Sequence, residues 1–246
     1  MRRNLRMLTN LFFIVGLPVT MYLIFGANSE FSDFELESGR GNVSAQIMVS
    51  MAVYGAITAT VSLAGSAAVE LQQVWGRQLG LTPFTQAGYV LSKVVVALVY
   101  AALPIIAVFA VGALTAARVD GMLWLGLAGL ALAAAVVFAL YGLMFGLLFR
   151  SEAAVGAAGG TVVILMFLGN AFMPLSGFLL DLSPYTPVWG VMQFANWPLT
   201  EGLLFVGTEG GTVQYELWQP VANLLVWAAV FGAVALWAAR RHTARK

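Results

Sequence analysis

Apolar residues in this chain fall into long runs separated by short polar segments. A hydrocarbon core of roughly 30 Å takes about 20 residues of helix, with about 17 to 25 as the working range. Six runs meet that length: Leu11 to Ala27, about Val43 to Ala68, Val90 to Ala116, Met122 to Phe149, Ala153 to Pro174, and Leu217 to Ala239. The second and fourth exceed the minimum, which predicts tilt or a helical extension past the bilayer. The pattern predicts an all-α polytopic membrane protein, one transmembrane domain over 1–246, with six transmembrane helices.

The polar segments orient the runs. Arg2, Arg3, Arg6, Arg77, Lys93, Arg150, Arg240, Arg241, Arg245 and Lys246 flank them on one side, and Glu30, Asp33, Glu35, Glu37, Asp120, Asp181, Glu201, Glu209 and Glu216 on the other. By the positive-inside rule the basic side is cytoplasmic, so both termini are expected inside and the number of crossings even. The start Met1-Arg2-Arg3 before an apolar stretch has the look of a secretory signal. The run is longer than a typical h-region, contains Pro18 and ends without a clean small-x-small site, so the first helix is read as retained.

Composition narrows the chemistry. Only 9% of residues are charged, against roughly 25% in soluble domains. With no cysteine there is no disulfide framework, thiol catalysis or Cys-ligated zinc. The single histidine, His242, lies in the basic tail, and one His builds no metal site alone. Between the helix ends, with Lys93 at the mouth of the third, no Asp, Glu, Lys, Arg or His interrupts the six cores, which argues against a proton-coupled carrier, a pump with its own carboxylate and an intramembrane hydrolase. The chain also lacks the G-x-x-x-x-G-K-[ST] phosphate loop. An energy source, if one is used, is expected on another polypeptide, with no catalytic residue, metal or cofactor in this one.

Such a partner needs a cytoplasmic docking surface, and one internal loop, about 69–89, is large enough. It runs from Glu70 through Leu71, Gln72, Gln73, Val74, Trp75, Gly76, Arg77, Gln78 and Leu79 to Leu81, Thr82, Pro83 and Phe84, with Lys93 beyond. Leu71, Trp75, Leu79 and Leu81 give a short helix an apolar side for a partner's cleft, while Gln72, Gln73 and Arg77 stay free for polar contacts. An amphipathic helix lying on the inner leaflet, Trp75 at the headgroups, fits the same residues. Pro83 limits how far a helix continues.

This loop resembles the one between the second and third helices of the ABC-2 type transporter permeases, in the branch of the daunorubicin-type drug exporters. The resemblance rests on Glu70, Trp75, Arg77, Gln78, Leu79, Leu81, Thr82, Pro83 and Lys93; Gln72 and Val74 stand where Glu and Gly are usual. It extends to Pro18 within the first run, and to Phe172-Met173-Pro174-Leu175-Ser176-Gly177-Phe178 with Pro184, Pro187 and Asn196-Trp197-Pro198-Leu199, similar to the family's external hairpin. Relatives usually carry an interfacial helix before the first span, where this sequence begins close to it.

The resemblance implies the permease subunit of an ATP-binding cassette exporter in the plasma (cell inner) membrane. Its partners would be two ABC ATPase subunits, which bind ATP and Mg, a second permease chain (identical or paralogous) and membrane lipid, with no nucleic acid. Glu70, Leu71, Trp75, Arg77, Leu79, Thr82 and Pro83 would couple to the ATPase. The cargo would be hydrophobic or amphipathic: a drug, antibiotic or lipid. The alternative is a non-transport assembly or sensory subunit recruiting a cytoplasmic partner through the same loop.

Three further features bear on a path. In the second run Ser50, Tyr54, Thr58, Ser62 and Ser66 recur every four residues; such a stripe suits a polar substrate path or helix packing. Gly142 with Gly146 and Gly156 with Gly160 have the G-x-x-x-G spacing of close helix packing. The segment 174–216 is too polar and Pro-broken to span, yet Phe178, Leu179, Trp189, Met192 and Trp197 are too apolar for a free loop. It is expected at the outer interface or dipping into it. In the resemblance it caps the exit, with Pro174, Phe178, Trp189 and Trp197 at an external gate; passive anchoring at the interface is the simpler reading.

Overall fold

The computed structural model describes residues 12–72, 86–207 and 211–243. Helices make up most of it: α1 Phe12–Ala27, α2 Val43–Gln72, α3 Gln86–Leu114, α4 Leu123–Phe149, α5 Glu152–Leu168, α6 Gly177–Leu182, α7 Pro187–Thr200 and α8 Trp218–Thr243. A short antiparallel hairpin, β1 Leu203–Phe205 and β2 Thr212–Gln214, pairs Leu204 with Val213.

Four helices carry stretches long and apolar enough to cross a membrane: Val43–Glu70, Val95–Leu114, Leu123–Phe149 and Trp218–Arg240. The first and fifth runs form shorter apolar helices, Phe12–Ala27 and Glu152–Leu168. At 1.5 Å per residue a 17-residue helix is about 26 Å long, just short of the hydrocarbon thickness. The outward faces carry Val99, Ile106, Ile164, Leu225 and Leu236, all exposed. Large apolar side chains on the outside of a bundle are those of a membrane protein, lipid taking the place of water around them.

The fifth run stops earlier than its hydropathy suggests. Gly169 follows the last turn and Asn170 adopts the left-handed conformation at φ 59°, a helix-ending pair. The Asn170 side chain then accepts a hydrogen bond from the Leu175 N–H at 2.7 Å, turning the chain back toward the bundle.

At the centre lies α2. Of its apolar window 78% is buried, against 17% for α8, and it packs most extensively on α4 and α3. Its contacts are close because its residues are small. A methyl added to Gly55 would meet Pro104 of α3 at 2.5 Å and Pro18 of α1 at 3.0 Å. Gly65 faces the Gly142 carbonyl, Gly142 lies against the backbone of Val61, and Gly146 against the Gly65 carbonyl and Ala68. The Gly142–Gly146 spacing is thus the place where α4 crosses α2 backbone to backbone. The space beside Gly156 and Gly160 of α5 is open within this chain.

Polar groups tie one end of the bundle together. Buried Asn42 caps α2 by accepting from Ala45 N–H at 3.0 Å, accepts from Arg118 N–H at 2.9 Å and donates to the Ala116 carbonyl at 2.7 Å. The Tyr22 hydroxyl, on α1, lies 3.0 Å from both Ser44 and Thr115 oxygens. Ser38 Oγ donates to the Leu199 carbonyl. Loops 28–42, 115–122 and 169–217 therefore meet at a single loop end. At the opposite end, Ala68, Leu147, Ala235 and Ala238 pack together and Ser66 donates to Glu152 at 2.9 Å.

The charge pattern follows these ends. Among the described residues the loop end carries Glu30, Asp33, Glu35, Glu37, Asp120, Asp181, Glu201 and Glu216. Arg40 and Arg118, basic residues on this acidic side, are each paired: Arg40 with Glu201 at 2.6 Å and Arg118 with Asp33 at 3.0 Å. Both pairs are exposed, so they contribute at most about 1 kcal/mol each.

The α2–α4 crossing yields a direct test. Gly146→Val pushes a branched side chain into the α2 backbone and should destabilise the protein by about 1–3 kcal/mol. Gly160→Val meets open space and should shift stability by about 0.5 kcal/mol or less. Unfolding midpoints of the purified monomer measure both; equal losses would mean that the two glycine pairs play the same packing role.

Candidate functional site

A cavity of about 760 Å³ opens at the loop end, within the size range of small-molecule sites, about 300 to 1,000 Å³. Its walls come from the end of α1, the following loop, the first turns of α2, the segment after α5, and α7 with β1. Aromatic rings dominate them: Phe25, Phe31, Phe34, Phe172 and Phe205. Phe31 and Phe34 form a tilted pair with centroids 5.5 Å apart, and Phe172 meets Tyr54 edge-on at 5.6 Å. Polar side chains line the rest: Gln46, Ser50, Gln193 and Asn196, with Glu35 and Glu37 the charged members of the lining.

The wall supplied by α7 is the unusual part. Pro187 starts the helix, where the missing proline N–H costs nothing. Val188, Trp189, Val191, Met192, Ala195 and Leu199 are then buried almost completely. The helix lies inside the bundle against α2, α4, α5 and α8. By contrast α6 stays outside, with Phe178 and Tyr185 of the following turn exposed.

Two features hold α7. Asn223 of α8 donates to the Pro184 and Thr186 carbonyls at 2.7 and 3.1 Å, fixing its entry. At its exit Glu201 and Gly202 both take positive φ, and Gly202 lies beneath the Trp197 ring and against the Tyr215 carbonyl, leaving no room for a Cβ.

Among the described residues, the buried side-chain polar atoms without a hydrogen-bond partner are Ser183 Oγ, Trp189 Nε1, Asn196 Oδ1 and Asn223 Oδ1. All lie on the α6–α7 turn, on α7 or against it. Each such group costs about 1–3 kcal/mol, and a cluster on one element marks a place where polarity is kept for something other than stability. Nearby, Tyr215 packs edge-on against Trp189 at 5.0 Å. Burial, and next the Asp181 carboxylate, raise the Tyr215 phenol above its ordinary pKa, which keeps it neutral.

The structure separates the residues singled out from sequence. Of the hydroxyl stripe, Ser50 is on the cavity wall, donating to the Gln46 carbonyl at 3.0 Å and accepting from Asn196 Nδ2 at 3.3 Å. Thr58 bonds back to the Tyr54 carbonyl at 2.9 Å and Ser66 to Glu152, while Tyr54 is buried and Ser62 half-buried. Of the gate residues, Pro174 lines the cavity, Phe178 is on the surface, Trp189 is in the core beneath and Trp197 covers the hairpin. Glu70 and Leu71 lie in the last turn of α2; Trp75, Arg77, Leu79, Thr82 and Pro83 lie outside the described residues.

Asn196 was visible in sequence only as part of a hairpin motif, and Gln46 and Gln193 carried no signal at all. The clue was Gln193 and Asn196, two amide side chains three residues apart and so on one face of an otherwise apolar helix, both buried on α7.

Asn196 gives this site its stability test. Its Nδ2 bonds Ser50, which already donates elsewhere, and the Met192 carbonyl, which lies within α7, while its Oδ1 has no donor. Asn196→Leu, close in volume, should therefore leave unfolding free energy within about 1 kcal/mol of the parent. A loss above about 3 kcal/mol in thermal or denaturant unfolding would make Asn196 a structural residue.

No family model, no curated protein and no solved structure matches this chain, and its functional reading rests on its own residues and geometry.

Proposed function

We propose that this chain is the permease subunit of an ATP-binding cassette exporter, moving a hydrophobic or amphipathic cargo outward on energy from a separate ATPase. The observation that carries the reading is α2. One unbroken, mostly buried helix runs from Ser50 on the cavity wall to Glu70, where the segment resembling the family's coupling loop begins. Twenty residues of helix span about 30 Å, so a push at the Glu70 end moves the cavity wall as a rigid rod. The absence of an ionisable residue from the apolar cores, and of a phosphate loop from the sequence, supports an external energy source.

In this reading α1 and α5 complete six crossings, the loop end faces outside and both termini are cytoplasmic. Arg150 and Arg240 at the opposite end support that orientation. Two permease chains, identical or paralogous, and two ATPase subunits holding ATP and Mg form the working unit in the plasma membrane, a C2 pair being the simplest way to enclose a shared path.

The cysteine-free sequence makes the orientation measurable. Single cysteines at positions 35 and 119 should react with an impermeant reagent from outside, and those at 78 and 151 only after permeabilisation. External labelling at 78 would invert the topology and remove the docking loop from the cytoplasm.

Coupling is tested in proteoliposomes. Transport should require a Walker-type ATPase, and Trp75→Ala or Arg77→Glu should lower transport and transport-linked ATP hydrolysis together, by about 5- to 150-fold. Uphill transport without an ATPase would overturn the proposal. An ATPase that binds but drives no transport would leave an assembly or sensory subunit.

A further inference from the structure

We infer that the loop-end cavity is a binding site for amphiphiles bearing a protonated amine. As a cargo site it rests on the exporter reading; as a binding site it stands without it. The argument begins with charge. The loop end holds two guanidinium groups among its described residues, both engaged by acids and neither in the cavity's lining: Arg40 pairs with Glu201 and Arg118 with Asp33, beside a neighbouring hollow that Glu35 also borders. Glu35 and Glu37, which line the cavity, form no ion pair among the described residues. The lining thus has two negative charges and no positive one.

The rest of the wall has the same preference. Phe25, Phe31, Phe34 and Phe205 are partly exposed at this site, and ring faces attract cations within about 6 Å of their centroids. The same rings give an alkyl chain or fused-ring body an apolar surface to bury. Deeper in, Gln46, Ser50, Gln193 and Asn196 give the wall neutral polar side chains and no cation. Carboxylates and aromatic faces both favour a ligand with a cationic head, and the carboxylates disfavour an anion.

The full chain in phosphatidylcholine nanodiscs, with no ATPase present, tests this with radiolabelled dodecylamine as probe, corrected for uptake by empty discs. Saturable binding is expected. Unlabelled dodecylamine should displace the label, and dodecanoate, of equal chain length and opposite charge, should fail to do so at tenfold higher concentration. The double variant Glu35→Gln/Glu37→Gln should weaken binding at least tenfold, about 1.4 kcal/mol, whereas Glu216→Gln, remote from the lining, should not. Both glutamates are exposed, so their replacement leaves the fold intact, verified by an unchanged unfolding midpoint.

Displacement by short-chain phosphatidylethanolamine would identify a lipid headgroup as one source of the amine; its failure would assign the site to free amphiphilic amines. Absence of saturable binding, displacement by dodecanoate equal to that by dodecylamine, or wild-type affinity in the double variant would each overturn the inference. Binding that follows these expectations in a protein showing no ATPase-driven transport would keep the site and discard the exporter reading.

Discussion

The backbone contact between α2 and α4 sets the geometry of everything around it. Lipid tails are as apolar as leucine, so helices in a bilayer gain little by hiding apolar surface from their surroundings and must gain by fitting closely. Gly65, Gly142 and Gly146 permit that fit, and Gly55 does the same toward Pro18 and Pro104. Because Pro18 and Pro104 lack an N–H, each leaves a carbonyl one turn earlier without its helical donor. The Ile14 carbonyl, the one freed by Pro18, is turned toward Gly55, where a close Cα–H approach partly offsets the loss. Small residues and prolines thus meet at one crossing for a shared reason.

With α2 fixed as a central rod, the loop end must close over its N-terminus without leaving polar groups stranded. Asn42 and Tyr22 do so with every polar side-chain atom hydrogen-bonded. The α7 region does not: Trp189 Nε1 and Asn196 Oδ1 on the helix, and Ser183 Oγ and Asn223 Oδ1 near it, are buried without a hydrogen-bond partner among the described residues. This contrast within one end of the molecule is informative: the same sequence that satisfies Asn42 three times over leaves Asn196 Oδ1 buried without a donor. A scaffold optimised for rigidity alone would have apolar side chains at these α7 positions, as it has at Val191 and Ala195.

The long apolar runs were legible because hydropathy depends only on the residues themselves. The boundaries of α4 followed closely, and the gathering of acids at one end was visible as a charge pattern, whereas the burial of α2 at the centre was not. Less visible was whatever depends on a neighbour. The fifth run looked continuous to Pro174 because Gly169 and Asn170 are mild interruptions in a hydropathy sum, while as backbone conformers they end the helix. Arg40 and Arg118 stand among the acids in sequence, and only the fold brings Glu201 and Asp33 beside them. The hydroxyl stripe looked like a single surface, yet its members serve different ends: Thr58 bonds its own helix, Ser66 reaches α5, and Ser50 opens to the cavity.

That division along α2 bears on how such a rod would work. A polar path running the whole length would need hydroxyls presented in register to one space; here the middle of the helix is packed in the core and the polar opening is confined to its first two turns. A cargo engaging the cavity therefore meets α2 near the loop end, far from Glu70. Any influence of one end on the other would pass along this one continuous helix, packed on α4 through Gly65, Gly142 and Gly146. The α2–α4 contact that stabilises the fold is then also the bearing on which movement of the cavity wall depends, and stiffening it would be expected to trade mobility for stability.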